Sequence, residues 1–388
     1  MSEFDYDLPA SAVAHVPVEP RDAARLLIDR GPREAPEHGR VSDLPMLLRA
    51  GDLLVVNETR VMPARLPLRK RTGGAAEVLL LAPLAAATPA SAPQTDGPAS
   101  PSRSDVRHGG DLGWAALVRP SRRIRDGTVL ESQHDPRVRV VVGERLDTQR
   151  RAVQVFVEEV PVSEVSQTSL LDRAGEPPLP PYIDPVVARD AIARRLGADA
   201  ARAALADRYQ TVYARSQGSA AAPTAGLHLT QRVLDGLRSA GVGVATVDLT
   251  VGLATFAPVT ATYAEAHEMH AEHFRVPAAT LAACAAAKRV VAVGTTTVRA
   301  LEAAARTVGN AGAVDVCGWT DLFLRRGAEF HVVDAMLTNF HLPRSSLLLL
   351  IDAFVGPRWR QLYETALAEG YRFLSFGDAM LLSRSDEP

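Results

Sequence analysis

The segment HEMHAEHF at residues 267–274 combines three histidines and two glutamates within eight positions. Because histidine titrates near neutral pH, His267 and His270 are candidates for a general acid or base, with Glu272 as a carboxylate beside them. A metal site is the alternative use of such residues. The zinc-protease motif requires His-Glu-x-x-His, and here a single residue separates Glu268 from the next histidine, so the motif does not match. We therefore predict no metal; an exposed polar segment is the remaining alternative.

A run of small residues precedes a further candidate, His228. The sequence SAAAPTAGLH allows close approach between backbone and ligand because its side chains are small, and its proline ends any helix. Thr230 is a typical N-cap, which predicts a helix from there to about Arg238. The pattern indicates the wall of a binding site formed by His228 with Pro223, Thr224, Ala225 and Gly226. A turn packed tightly for steric reasons alone is the alternative.

The segment VVAVGTTTVRALEAA at residues 290–304 predicts a strand, a glycine turn and a helix. Thr295 and Thr296 would lie at the start of that helix, where free N–H groups and the helix dipole attract an anion. Arg299, one turn further along, could bind a carboxylate or a phosphate with its guanidinium. Ordinary N-capping, with Arg299 in a structural salt bridge, is the alternative.

The sequence TNFHLP at residues 338–343 follows a predicted strand. Ligands of α/β folds bind beyond the carboxyl ends of strands, so Asn339 and His341 are placed to contact a base edge or to transfer a proton. A buried, mutually satisfied histidine–asparagine pair is the alternative.

Three other side chains could contact a ligand. Tyr209 and Tyr213 are spaced one helical turn apart, and stacking on a nucleobase fits this spacing as well as packing in the core does. Asp378, in the sequence GDAM, could bind an amine or ribose hydroxyls, or could cap the last element of the fold.

The elements that position these residues follow two patterns. From about residue 178 onwards, helical periods alternate with short apolar strands, which is typical of an α/β fold with a mostly parallel sheet. We predict that a helix over Arg21–Arg30 joins this layer. Residues 61–159 instead carry short β-branched runs, spaced as in a small antiparallel barrel or sandwich. The Ala-, Pro- and Ser-rich stretch at about 85–113 predicts a disordered insertion.

The composition excludes several classes of protein. The chain has 388 residues, enough for two domains, and 47% of them are apolar. It contains no apolar run long enough to cross a membrane, and the start MSEFDYDLP lacks the apolar segment of a signal peptide. Two cysteines cannot form a disulfide framework, so we expect a cytoplasmic protein. No pattern indicates a large exposed interface helix, so we expect a monomer.

The formal net charge of −2 gives the chain no overall basic character. Two local basic groups could still form a phosphate-binding face, and they could equally be ordinary solvated charges. They comprise Arg65, Arg69, Lys70 and Arg71 in the first group, and Arg119, Arg122, Arg123 and Arg125 in the second.

Taken together and in this order, AAPTAGLH, HEMHAE, TNFHLP and GDAM resemble the S-adenosylmethionine:tRNA ribosyltransferase-isomerase family of queuosine biosynthesis. The resemblance covers nearly the whole chain. It implies a discontinuous α/β domain, which we place at residues 1–60 and 160–388, with a small antiparallel β-barrel domain inserted at residues 61–159. It also implies an enzyme without a metal or a resident cofactor.

The same resemblance implies a reaction in which S-adenosylmethionine is a substrate. Its ribosyl group passes to a 7-aminomethyl-7-deazaguanine base in tRNA and rearranges to give epoxyqueuosine, while adenine and methionine leave. S-adenosylmethionine and tRNA are therefore the expected partners. A positioned base is needed, because the sulfonium acidifies the neighbouring protons. The segment TVGLATFAPV at residues 250–259 matches a further motif of the family, and it adds Thr255 and Phe256 to the expected substrate-binding residues.

That motif also departs from the family pattern. Thr250, Leu253, Ala254 and Ala257 stand where the family has histidine, alanine, glycine and glutamine. A second hypothesis is therefore a paralogous enzyme that binds S-adenosylmethionine and performs different sulfonium chemistry on a small-molecule acceptor. A third is a nucleotide- or RNA-binding module without catalysis.

Overall fold

The computed structural model describes residues 1–84, 113–158, 160–162, 170–252, 269, 271–308 and 314–385. The chain divides into two compact units, one formed by Met1–Met62 together with Leu179–Pro388 and the other by Pro63–Pro178. The predicted disordered insertion at 85–113 lies outside the described residues except for Gly113, which begins a strand.

The strands, in chain order, are β1 (Arg25–Ile28), β2 (Glu37–Arg40), β3 (Asp52–Asn57), β4 (Thr59–Val61), β5 (Arg65–Lys70), β6 (Ala75–Leu84), β7 (Gly113–Arg119), β8 (Val129–Ser132), β9 (Val138–Arg145), β10 (Arg150–Val157), β11 (Val160–Pro161), β12 (Ser216–Ser219), β13 (Gly243–Leu249), β14 (Glu272–Val276), β15 (Arg289–Val293), β16 (Val316–Thr320), β17 (Ala335–Asn339) and β18 (Ala379–Ser383). The helices are α1 (Leu44–Leu47), α2 (Pro185–Leu196), α3 (Ala198–Arg208), α4 (Gln231–Ser239), α5 (Ala278–Ala286), α6 (Thr295–Val308), α7 (Ser346–Val355) and α8 (Trp359–Ala368).

In the first unit, the described strands include a nine-stranded sheet in the order β16-β14-β13-β3-β15-β17-β18-β1-β2. Its central strands β13, β3, β15 and β17 are parallel to one another. Towards the edges, β14, β16, β18 and β2 introduce antiparallel pairs. The fold is therefore mixed α/β, and the carboxyl ends of the four central strands meet at one edge of the sheet.

Strand β3 is buried along its whole length, and its alternate side chains enter two different core clusters. Leu53 and Val55 pack with residues of α6 and α7 on one face, whereas Leu54 and Val56 pack with residues of α1 and α4 on the other. Side chains alternate between the two faces of a strand. The continuous apolar run LLVV therefore indicates that both faces of the sheet are covered by helices.

The predicted helix over Arg21–Arg30 is wrong. Only Arg21–Ala23 form a single 3₁₀ turn, and the chain then enters β1, which pairs with both β18 and β2. The apolar run RLLI is too short for its period to distinguish a strand from a buried helix. The predicted N-cap is confirmed, because the Thr230 hydroxyl accepts a hydrogen bond from the Val233 N–H at the start of α4.

The second unit contains β5 to β11, and every pairing among them is antiparallel. Strand β10 pairs with both β7 and β9, so the pairings run in a ring through β5, β6, β7, β10, β9 and β8. Alternate side chains are buried, among them Leu66, Leu68, Val140 and Val142. These side chains form the interior of the second unit.

The second unit extends to Pro178, whereas we predicted the inserted segment to end near residue 159. Strand β11 pairs with β10, and Glu176 exchanges two backbone hydrogen bonds with Arg65, at 2.7 and 3.1 Å. These contacts join residues 160–162 and Glu176 to the antiparallel strands. The contact of Glu176 is an isolated bridge, and β11 pairs over only two residues, so neither produces a strand-like run in the sequence.

Candidate functional site

A cavity that is partly open to solvent lies at the carboxyl ends of the central parallel strands, where α/β folds bind ligands. It is lined by residues that follow β15 and β17 and by the turn before α4, namely Ala222, Pro223, Thr224, Ala225, Val251, Gly294, Thr295, Thr296, Thr338, Asn339, His341 and Leu347. The structure therefore gathers seven of the residues singled out in the sequence around one cavity.

A second cavity, also partly open to solvent, shares part of this wall. Thr224, Asn339, His341 and Leu347 line both cavities. The second adds Tyr182, whose hydroxyl lies 2.7 Å from the Ser375 hydroxyl, together with Phe340, Leu342, Ser345 and Leu374. The lining is mostly apolar with a few polar groups, as is typical of small-molecule sites.

Asn339 connects three segments of the site. Its Nδ2 donates to the Leu374 carbonyl at 3.1 Å and lies 3.0 Å from His228 Nε2, while its Oδ1 accepts from the Thr224 hydroxyl at 3.0 Å. A carbonyl can only accept, so the amide group faces Leu374, and His228 Nε2 is an acceptor as well. The neutral His228 ring therefore carries its proton on Nδ1. Asn339 thus orients His228 and the turn. Its histidine partner is His228, whereas His341 contacts Thr338, so the structure does not show the alternative of a mutually satisfied Asn339–His341 pair.

Both histidines of this region are electrically neutral at physiological pH. Burial lowers the pKa of His228 to about 3, helped by the positive charges of Arg208, Arg372 and Arg21. Burial alone lowers the pKa of His341 to about 3. The His341 ring is held by a 3.1 Å contact between its Nε2 and the Thr338 hydroxyl. Among the described residues that line the two cavities, none carries a charge at neutral pH.

These buried neutral histidines predict an acid-dependent loss of stability. Their pKa values in the folded state, about 3, lie below that of an unfolded histidine, about 6.5. Between these values the unfolded chain binds more protons, so the free energy of unfolding falls as the pH drops, by about 1.4 kcal/mol per pH unit for each histidine. Urea unfolding between pH 6 and pH 4 should show a shallower pH dependence for His341→Gln than for the original chain. Equal slopes would contradict a neutral buried His341.

The start of α6 forms one side of the cavity. Gly294 has φ +84°, a conformation that favours glycine, and it turns the chain from β15 into the helix. The Thr297 hydroxyl donates a hydrogen bond to the Val293 carbonyl at 2.6 Å. Thr295 and Thr296 line the cavity. The free N–H groups at this helix start supply a polar wall suited to an anionic group.

Arg299 does not face the cavity. Its guanidinium forms a buried ion pair with Glu272 and donates to the carbonyls of Leu322 and Thr320. The other carboxylate oxygen of Glu272 accepts from the Gly252 N–H at 2.9 Å. The structure thus favours the salt-bridge interpretation of Arg299, and it gives Glu272 a positioning contact rather than one to a reacting group.

Three predicted ligand contacts lie elsewhere. Tyr209 is fully buried and packs edge-on against Phe376, so it has no free face for a nucleobase. The Asp378 carboxylate accepts from the backbone N–H groups of Arg25 and Arg372, at 2.9 and 2.8 Å, which is a capping role. Tyr213 lines neither cavity. The structure favours the alternatives stated for Tyr209 and Asp378, namely core packing and backbone capping, and ligand contact by these side chains stays a prediction.

The glycine of the turn acts through packing. Gly226 has no positive φ; instead, a Cβ placed there would lie 2.0 Å from Tyr213 Oη. Pro223, Thr224 and Ala225 line the cavity directly. The turn therefore has both of the features considered: three of its residues form a wall of the cavity, and Gly226 allows tight steric packing behind that wall.

Four candidate residues lie outside the described part of the chain, namely Thr255, Phe256, His267 and His270. Within the described ranges no cluster of histidine, cysteine, aspartate and glutamate could hold a metal ion. Among the described helices, none has the length and apolar character needed to cross a membrane.

Asn57 is a site residue that the sequence did not reveal. It is fully buried at the end of β3, and its Nδ2 donates to the Leu249 carbonyl at 3.0 Å and to the Thr296 hydroxyl at 3.3 Å. Its Oδ1 accepts from the N–H groups of Leu249 and Thr59. Asn57 thereby fixes the start of α6 against β13. An asparagine at the end of a continuous apolar strand was the available signal.

The two basic groups of the second unit lie next to each other, since Lys70 Nζ donates to the Arg123 carbonyl at 2.8 Å. Part of their charge is balanced, because Arg71 pairs with Glu131 and Arg65 pairs with Glu77 and Glu176. A phosphate-binding role for this surface remains a prediction.

A sheet covered on both faces, with a cavity at the carboxyl ends of its parallel strands, defines a ligand-binding α/β protein. The family model described as "Queuosine biosynthesis protein" matches residues 1–382, and the chain belongs to this family. A relative from Rubrobacter xylanophilus is 44% identical over 98% of this chain and 96% of its own length. A relative from Anaeromyxobacter sp. strain Fw109-5 is 46% identical over 100% of this chain and 99% of its own length. Both are named S-adenosylmethionine:tRNA ribosyltransferase-isomerase.

A solved structure of an S-adenosylmethionine tRNA ribosyltransferase from Thermotoga maritima is 30% identical to this chain. The match covers 98% of this chain and 99% of the Thermotoga maritima chain, with a TM-score of 0.49.

Proposed function

We infer that the protein is an S-adenosylmethionine:tRNA ribosyltransferase-isomerase that acts in queuosine biosynthesis. The observation that carries this conclusion is identity of 44% and 46% to relatives of that name, over nearly the full length of both chains. Insertion or loss of a domain would have shortened the matched region. The alternative of a paralogue acting on a small molecule is not favoured, because the regions matched by relatives of this name span 98% and 100% of the chain.

The two cavities suit the donor substrate. S-adenosylmethionine carries a cationic sulfur, which tolerates uncharged polar neighbours and is repelled by lysine or arginine. The described lining side chains are uncharged, and the nearest described arginine of α6, Arg299, is neutralised by Glu272. We propose that Thr295 and Thr296 at the start of α6 bind the methionine carboxylate through backbone N–H groups.

We propose that His341 handles the proton removed next to the sulfonium. It lines both cavities, and its imidazole is unprotonated at neutral pH; the burial that lowers its pKa also weakens it as a base. His228 and Asn339 position the Thr224 turn against the substrate. His267 and His270 remain candidates for the second proton transfer, to the departing adenine.

We also propose that the first unit is the discontinuous α/β domain and the second an inserted six-stranded β-barrel. The ring of antiparallel pairings and the alternating burial of its strands support a closed barrel. Because tRNA is the acceptor substrate, we propose a cytoplasmic location.

The decisive experiment measures adenine release from S-adenosylmethionine. Release should require tRNA that carries the 7-aminomethyl-7-deazaguanine base, and the apparent affinity for that tRNA should fall steeply as salt is raised, because phosphate contacts release counterions. Adenine release at the same rate without tRNA would instead support the paralogous enzyme. No release under any condition would support a binding module.

A further inference from the structure

Strand β16 places a large aromatic side chain in solvent at the edge of the nine-stranded sheet. Trp319 is 73% exposed, whereas the chain's other tryptophans, Trp114 and Trp359, are 2% and 1% exposed. Tryptophan has a large apolar surface, so leaving it in water forgoes about 2 kcal/mol or more of burial free energy. An exposed tryptophan on a regular strand therefore calls for a binding explanation.

The surroundings of Trp319 are polar. It lies directly across from His273 on β14, and the two rings meet edge to face with centroids 5.5 Å apart and an interplanar angle of 76°. His273 is therefore an aromatic neighbour of the indole on the adjacent strand. The next pair on the same face of the ladder is Arg275 and Cys317, and Arg275 forms an ion pair with Asp315. A single aromatic ring among polar neighbours differs from the contiguous apolar patch of a protein interface.

The tryptophan lies at the same edge of the sheet as the cavities. The backbone N–H of Thr250, just after β13, donates to the His273 carbonyl, and the following residue, Val251, lines the first cavity. Trp319 and the start of α6 are separated by the strands β14, β13 and β3. Helix α6 nevertheless reaches β16, because Arg299, one turn from the helix start, donates to the carbonyl of Thr320, the residue after Trp319.

We propose that Trp319, which is exposed beside His273, is a stacking platform for an unpaired base of the tRNA near the base being modified. The proposal rests on the proposed function. A base that enters an enzyme cavity must be unpaired, and its neighbours in a single-stranded loop are free to stack on aromatic side chains. Stacking needs one flat ring with an open face, which Trp319 supplies, and no additional positive charge.

The test compares Trp319→Ala, Trp319→Phe and a matched control, Met46→Ala, which truncates another side chain of the same unit that is 79% exposed. Loss of a stacking platform should raise the Kd for modified-base tRNA roughly tenfold for Trp319→Ala, less for Trp319→Phe, and not at all for the control. Because stacking involves no counterion release, the slope of log Kd against log salt should be unchanged in all three variants. The affinity for S-adenosylmethionine and the turnover number at saturating tRNA should also be unchanged.

Two results would overturn the platform while leaving the proposed function intact. One is a normal Kd for tRNA in Trp319→Ala. The other is a loss of affinity accompanied by a shallower salt slope, which would assign the effect to phosphate contacts. Altered self-association of Trp319→Ala with normal tRNA affinity would assign the surface to a second copy of this chain. If the original chain itself releases no adenine with tRNA, the proposed function fails, and this outcome is separate from the other three.

Discussion

Asn339→Ala should lower the rate of tRNA-dependent adenine release by at least about tenfold. The substitution removes the donor to His228 Nε2, the donor to the Leu374 carbonyl and the acceptor for the Thr224 hydroxyl. Thr224 lines both cavities, so the turn that forms their shared wall loses its anchor. Displacement of positioning groups by a fraction of an ångström costs one to two orders of magnitude in rate.

The stability of Asn339→Ala should fall as well, because the substitution leaves buried polar groups without partners, at about 1–3 kcal/mol each. Rates must therefore be measured at a temperature where circular dichroism shows the variant folded. The matched control is Thr224→Val, which removes one of the three hydrogen bonds and keeps the shape of the side chain. It should lose about 1 kcal/mol and less activity. Undiminished adenine release by folded Asn339→Ala would show that reaction and cavity lie apart.

The segments that surround the cavity were predictable, because each carries a local signal. The run VVAVGTTT and the run TNFHLP both end a buried strand, and a carboxyl end of a parallel strand is where a ligand binds. The small residues before His228 likewise indicate close approach. Pro223, Thr224, Ala225, Thr295, Thr296, Asn339 and His341 came together for these reasons.

The role of each charged side chain was not predictable, because it depends on long-range partners. Arg299 and Glu272 are 27 residues apart, and nothing local pairs them. Asp378 caps the N–H group of Arg25, 353 residues away. In the same way, the run RLLI becomes β1 only because β18, from the other end of the chain, is its parallel neighbour. Local periodicity decides an element where the segment is long, and tertiary pairing decides it where the segment is short.

Gly226→Ala should destabilise the protein by about 1–3 kcal/mol or more, and Tyr213→Phe should reverse much of that loss. A Cβ at position 226 would lie 2.0 Å from Tyr213 Oη, 3.0 Å from Thr211 Cγ2 and 3.1 Å from the ring carbon Cζ of Tyr213. Overpacking of this kind forces the turn or the ring to move. Without the phenolic oxygen, the closest remaining contacts are at 3.0 and 3.1 Å, which small shifts can relieve.

Tyr213→Phe alone gives the necessary reference. The Tyr213 hydroxyl oxygen is enclosed and has no hydrogen-bond partner among the described residues, so its removal should be neutral or stabilising. Urea unfolding of the four members of this double-mutant cycle then yields the coupling energy between positions 226 and 213, which should be clearly favourable to the double variant.

S-adenosylmethionine affinity measured on the same four proteins separates the two roles of the turn. If affinity returns together with stability, Gly226 serves packing alone. If stability returns and affinity does not, the added methyl group also displaces the wall formed by Pro223, Thr224 and Ala225. An uncoupled cycle, with Gly226→Ala equally harmful beside phenylalanine, would show that the contact with Tyr213 is not what excludes a side chain at this position.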